Sequence, residues 1–141
     1  MTWPKQMLHM IWMVLLIFVS LTSRADGRPP IKTTVCEISA HPERFAGKRV
    51  ALFAQLNSDG IERVTLTDET CEDVGIAVVA PDHFVGEAAF IAALRTGHPG
   101  TLDKTISGAF IGIFHWQPDK IPKRILVLKE AKSIRTVMKN K

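Results

Sequence analysis

The sequence has no tyrosine, and after residue 25 its only tryptophan is Trp116. Proteins that hold single-stranded nucleic acid stack successive bases on several rings. Most phenylalanines beyond residue 25 lie in apolar runs that a core needs, so nucleic acid is disfavoured as a partner. Only two cysteines are present, Cys36 and Cys71, fewer than a thiolate-rich zinc site requires. No cysteine follows the N-terminal apolar run, which leaves a lipid-modified N-terminus without an attachment point. Ser107 precedes Gly108 with no second glycine to form a nucleophile elbow. His41, His83, His98 and His115 are scattered, and the Asp82-His83 pair reads as a helix cap before it reads as a catalytic dyad. Asp68, Glu69, Glu72 and Asp73 could offer oxygen ligands, but they lack the spacing of a calcium loop. Neither a catalytic residue, a metal site nor a cofactor follows from these patterns. Internal repeats and low-complexity stretches are also missing.

What is present begins with an export pattern. A short, weakly basic start around Lys5 leads into the apolar run Met7 to Thr22, broken by His9, and Ser23-Arg24-Ala25 puts small residues where a signal peptidase cuts. Residues 1–25 are therefore expected to be a signal peptide. The alternative is an uncleaved anchor, although a bilayer span needs roughly 20 apolar residues and this run is shorter. Loss of Lys5 and Arg24 takes two of 18 bases and none of 14 acids, lowering the formal charge from +4 to +2. The remainder is polarised. Acids outnumber bases from Glu37 to Asp73, whereas Lys104 to Lys141 holds only Asp119 and Glu130 against nine Lys and Arg, interleaved with apolar residues. In an oxidising compartment Cys36 and Cys71 are expected to pair as a disulfide that closes ~36 residues and contributes about 4 kcal/mol.

Residues 26–32 read as a flexible lead-in, 33–134 as one domain and 135–141 as a basic tail. Thr33 to Ile38 is β-branched and predicts an opening strand. Ser39 to Gly47 predicts one or two helical turns, with Ser39 as cap and Pro42 in the first turn. Val50, Leu52, Ala54 and Leu56 then alternate with Arg49, Ala51, Phe53 and Gln55. Ser58-Asp59-Gly60 predicts a hairpin turn into Arg63 to Asp68, with Val64 and Leu66 inward. Gly75 to Val79 is a further strand, and Cys71 lies in the connection before it. Asp82 to Thr96 switches to helical spacing, with Phe84, Ala88, Phe90, Ile91 and Leu94 on one face and Gly97 as the stop. Thr105 to Trp116 is a long strand in which Gly108 and Gly112 predict bulges or bends, and Arg124 to Glu130 is the last strand.

With the short opening segment set aside, the order is strand, strand, strand, helix, strand, strand, that of an OB-fold, a five-stranded Greek-key barrel with its helix between strands 3 and 4. The segments VCEISAHPERFAGKRVALFAQL, VTLTDETC, ISGAF and ILVLKEAKSI resemble those of a group of small exported bacterial OB-fold proteins. The resemblance covers residues 33–134 and implies fold and export. It transfers no catalytic residues.

OB-folds commonly bind on the face of the second and third strands, flanked by the loop between strands four and five. That places Arg49, Phe53 and Arg63 on the candidate face, with Trp116, Lys120, Lys123 and Arg124 beside it. The expected function is a non-catalytic binding module of the bacterial envelope, periplasmic or secreted, whose partner is an envelope protein or an anionic ligand, the candidate face suiting a partner that is anionic or carries a planar group. The alternative is a membrane-anchored scaffold facing the periplasm, with membrane association resting on the retained N-terminal helix. A nucleic-acid-binding OB-fold ranks third.

Overall fold

The computed structural model describes residues 27–140, and the expected signal segment lies outside them. The chain is mainly β, with six strands and three short helices among the described residues. Its strands are β1 (Ile31–Thr33), β2 (Arg49–Ser58), β3 (Val64–Thr67), β4 (Ile76–Val79), β5 (Lys104–Trp116) and β6 (Arg124–Met138). Its helices are α1 (Val35–Ala40), α2 (Pro42–Phe45) and α3 (Glu87–Arg95). Pairing runs β1-β2-β3-β4-β6-β5, and β5 also pairs with β2, so five strands close into a ring and β1 is appended to β2. β4 and β6 run parallel, while the pairs β2–β3, β3–β4, β5–β6 and β2–β5 are antiparallel.

Alternation explains the ring's interior. Val50, Leu52, Ala54 and Leu56 of β2 are all buried and face Leu66, Ile76, Ile106, Phe110, Phe114, Leu126 and Leu128. Val35 and Ile38 of α1 and Phe45 of α2 join that core, as do Phe90 and Ala93 of α3. Phe90 meets Phe84 edge-on at 5.4 Å and Phe110 at 6.5 Å between ring centroids. The Asp59-Gly60 turn joins β2 to β3, with the Asp59 carboxylate accepting from the N–H groups of Ile61, Glu62 and Arg63.

Four local expectations are corrected. Thr33 to Ile38 is not a strand: only Ile31–Thr33 pairs with β2, and Thr34 then caps α1 by accepting from the Glu37 N–H. A side-chain cap outweighs weak β propensity once the next apolar residues, Val35 and Ile38, can bury one helical face. Second, Ser39 does not cap the following turn: Pro42 opens α2 behind His41, which makes no side-chain cap bond. The third helix is shorter than its apolar spacing suggests, and Ala88 is exposed. The last strand continues through Arg135 to Met138, residues read from the sequence as tail.

The two strand glycines act by close approach. Register shifts occur between Ser107 and Ala109 and between Ile111 and Gly112, and in both places the extra residue belongs to β6. Ser133, in one of these bulges, has a positive φ of 54°. A Cβ on Gly112 would lie 2.3 Å from the Val127 carbonyl oxygen, and one on Gly108 2.7 Å from Ile134 Cδ1. Gly86 is tighter still. Val85 bridges to β6 at Glu130, and a Cβ on Gly86, which caps α3 at φ +85°, would meet the Ala131 oxygen at 1.8 Å.

Candidate functional site

Cys36 and Cys71 are bonded, with their Cα atoms 5.7 Å apart. The bridge ties α1 to the turn between β3 and β4, so the segment it holds at its first end is a helix and not the expected strand. Thr70 stands against it, its Oγ1 3.1 Å from Cys36 Sγ, and both its N–H and its hydroxyl donate to the Asp68 carboxylate. Those bonds, the N–H first, hold the Asp68 pKa below the usual carboxylate value. Glu69 is engaged separately, accepting from Gln55 Nε2. Asp68 and Glu69 are thus engaged by different partners, and among the described residues no three His, Cys, Asp or Glu side chains are grouped to hold a metal ion.

This stapled turn forms one wall of a groove of about 200 Å³ lined by Phe53, Ala54, Gln55, Thr67, Asp68, Glu69 and Thr70. Phe53 projects outward from the middle of β2 and is 63% exposed, the opposite of its buried neighbours Leu52 and Ala54. Ala109 of β5 lies opposite Phe53 on one edge, and on the other Phe53 falls between the β1 pairing, which ends at Leu52, and the β3 pairing, which begins at Gln55. A large ring kept in water on a doubly paired strand has no packing role that would fix its identity.

The remaining expected residues do not gather around it. Arg49 and Arg63 lie at opposite ends of β2, because Ser58 pairs with Val64 and Asp59 donates its N–H to the Arg63 carbonyl. Nine strand positions separate Arg49 from Ser58, about 30 Å of extended chain. Trp116 and Arg124 do come together: they are register partners, and the guanidinium sits 5.5 Å from the indole centroid. They share the inward side of their strands with Phe114 and Leu126, and Trp116 packs on the core. Arg49 shares the outward side with Phe53. Arg124 also donates through Nη2 to the Ser39 carbonyl at 3.4 Å. Lys120 and Lys123 are exposed on the loop between β5 and β6.

The seven residues thus divide into an outward face at Phe53 with Arg49, a distant hairpin tip at Arg63, and a basic rim at Trp116, Lys120, Lys123 and Arg124. The groove's own charged side chains are Asp68 and Glu69. At Phe53 this favours a partner offering an apolar or planar group with hydrogen-bond donors, whereas anionic chemistry belongs at the rim.

Sequence reasoning missed Lys104. It is 1% exposed, and its ammonium donates to the carbonyls of Leu94, Thr96 and His98, closing the C-terminal end of α3. A cation at that end satisfies free carbonyls and faces the negative pole of the helix. Of the histidines, His83 reaches Glu87 at 3.6 Å through Nδ1, and the backbone N–H of His98 donates to Asp103.

No protein-family model matches the chain, and no curated protein matches it.

Proposed function

We propose that this chain is an exported, disulfide-stapled OB-type binding module of the bacterial cell envelope, and that the outward β2–β3 surface around Phe53 holds a partner protein. The observation that carries the reading is Phe53 itself, 63% exposed on a strand paired on both edges and facing a groove built by the stapled turn. Support for the OB-type topology comes from the ring order β2-β3-β4-β6-β5, its parallel β4–β6 contact, and α3 lying between β4 and β5 in the chain. In that order β2 is the first ring strand, so Phe53 lies beside the second-and-third-strand face expected from the sequence, and the reading rests on its exposure and groove. The disulfide is compatible with an oxidising compartment, where such bonds persist. Among the described residues no helix is long and apolar enough to cross a membrane. The role is binding, and the reading assigns no residue to catalysis.

Fractionation and capture test this together. Protein beginning at Asp26 is expected in the soluble periplasmic extract, and Phe53→Ala is expected to lower partner capture while the melting temperature holds. Full-length protein confined to the membrane pellet would favour the anchored alternative. Equal capture by the parent and Phe53→Ala would remove the proposed surface.

A further inference from the structure

The loop between β5 and β6 combines a strongly exposed apolar tip with flanking lysines. Ile121 at its tip is 95% exposed, the most exposed of the large apolar side chains. It sits between Lys120 and Lys123, and Asp119 is the only acid in the loop. The loop is shaped by its own bonds: the Gln117 N–H donates to the Lys123 carbonyl at 2.9 Å, Gln117 Nε2 to the Pro122 carbonyl at 2.7 Å, and the Lys120 N–H to the Gln117 carbonyl at 3.1 Å. Its base is the Trp116–Arg124 stack. The neighbouring turn adds Lys48, whose carbonyl accepts from the Phe114 N–H at the same end of the ring. Neither Lys48, Lys120 nor Lys123 has an ion-pair partner among the described residues.

An apolar tip flanked by unpaired lysines suits a boundary where hydrocarbon lies just beneath negative charge. A protein partner would need a matching apolar pocket inside an acidic rim, and a soluble polyanion would have no use for the isoleucine. An anionic bilayer supplies both chemistries on one plane, attracting each lysine near its surface and accepting apolar side chains at the acyl boundary. We infer that the Gln117–Lys123 loop docks the protein on an anionic membrane surface, Ile121 entering the headgroup region while Lys120, Lys123 and Lys48 meet the lipid phosphates. Phe53 is on β2, away from this rim, so a docked molecule keeps its groove open to a partner.

The test uses the full chain with phosphatidylglycerol–phosphatidylcholine vesicles and with phosphatidylcholine vesicles alone, reading amide exchange of residues 119–123 together with vesicle flotation. Exchange in the loop is expected to slow with the anionic vesicles only, and high salt should reverse it. Ile121→Asp should weaken this salt-sensitive partition roughly tenfold. Replacing both Lys120 and Lys123 by glutamate should weaken it at least about 25-fold, near fivefold for each lost charge. Both variants should melt at the parent temperature, since all three side chains are exposed. Anchoring through residues 1–25 would act alike on both lipid compositions and on every variant, so it cannot mimic this pattern. Unchanged loop exchange, equal slowing by phosphatidylcholine alone, or parent-like behaviour of both variants would overturn the inference. So would slowing by polyphosphate when anionic vesicles give none.

Discussion

Cys36, the second residue of α1, is bonded to Cys71 in the turn behind β3, so the acidic wall of the Phe53 groove is tied to the helix that opens the domain. Apart from this bond, the Thr70 contact to Cys36 Sγ beside it and the Gln55–Glu69 contact, that turn is held by short-range bonds such as Cys71 N–H to the Asp68 carbonyl and Val74 N–H to the Cys71 carbonyl. Reduction should therefore act first on the groove. Calorimetry with and without reductant should show a loss of about 4 kcal/mol, or about 15 °C in melting temperature. Amide exchange at residues 68–75 should accelerate before that of β5. A reduced protein that melts like the oxidised one would remove the staple's structural role.

Lys104 should be indispensable to the helix it caps. Lys104→Met keeps most of the volume but strands three carbonyls at the end of α3, and stability should fall by about 2–4 kcal/mol. Chemical denaturation measures the loss, and faster exchange around Thr96 and His98 would locate it.

Gly86→Ala should be costly for two reasons: the residue has a left-handed φ of +85°, and an added Cβ would collide with the Ala131 oxygen. Gly47→Ala serves as the comparison, because it has a similar φ of +73° but nothing within 4 Å of the added atom. The first variant should lose markedly more stability than the second in parallel denaturation curves. Equal losses would mean that backbone conformation alone, and not the approach of β6, fixes Gly86.

The acid response should come from the turns. The Ile61 N–H is the main cause holding the Asp59 carboxyl below its usual pKa, followed by the Arg63 N–H, and Asp68 is lowered by Thr70. A carboxyl with a lower pKa folded than unfolded adds stability that is present above the unfolded value, about 4, and is lost as pH falls through the folded value. Both turns should hold at pH 5 and loosen below about pH 4. Carbon-detected titration of the two carboxyls should give midpoints under the ordinary aspartate value. Asp59→Asn, which keeps an acceptor, should be milder than Asp59→Ala.

Much of this architecture was legible because burial on one side of a strand imposes a period of two. Val50, Leu52, Ala54 and Leu56 declare the inner face of β2, and the same alternation puts Phe53 outside. Asp59-Gly60 announces the hairpin, although the connection runs over residues 59–63 and is held by the Asp59 carboxylate, not by a two-residue turn. The opening segment was not legible: Thr33, Thr34 and Val35 suit a strand, and what makes a helix is one hydroxyl of Thr34 reaching the Glu37 N–H. Nor was Lys104, because a lysine at the edge of a basic region is ordinarily solvated, and its burial depends on carbonyls from a helix end folded back over it. The candidate site was half legible. Alternation gives the side on which a residue lies but not the register between strands, so Arg63 looked like a neighbour of Phe53 when it sits beyond the Ser58 end of β2. Trp116 and Arg124 were matched by position in the chain, and their pairing on the inward side follows only from the β5–β6 register.

Exposure should separate the rings. Phe53→Ala should change stability by no more than about 1 kcal/mol. Phe110→Ala should cost about 3–5 kcal/mol, because that ring is fully buried against Phe90. A large loss from Phe53→Ala would return that ring to the fold and take the groove with it.

The central claim is that the outward face at Phe53 is a contact surface in the cell envelope, and a photoreactive phenylalanine analogue at position 53 tests it in the living cell. Irradiation should yield a discrete adduct between the exported chain and one envelope protein, with no such adduct from the same analogue at the exposed position Lys129 on β6. Matching adduct patterns at positions 53 and 129, or none at position 53 in a correctly exported and oxidised chain, would contradict it.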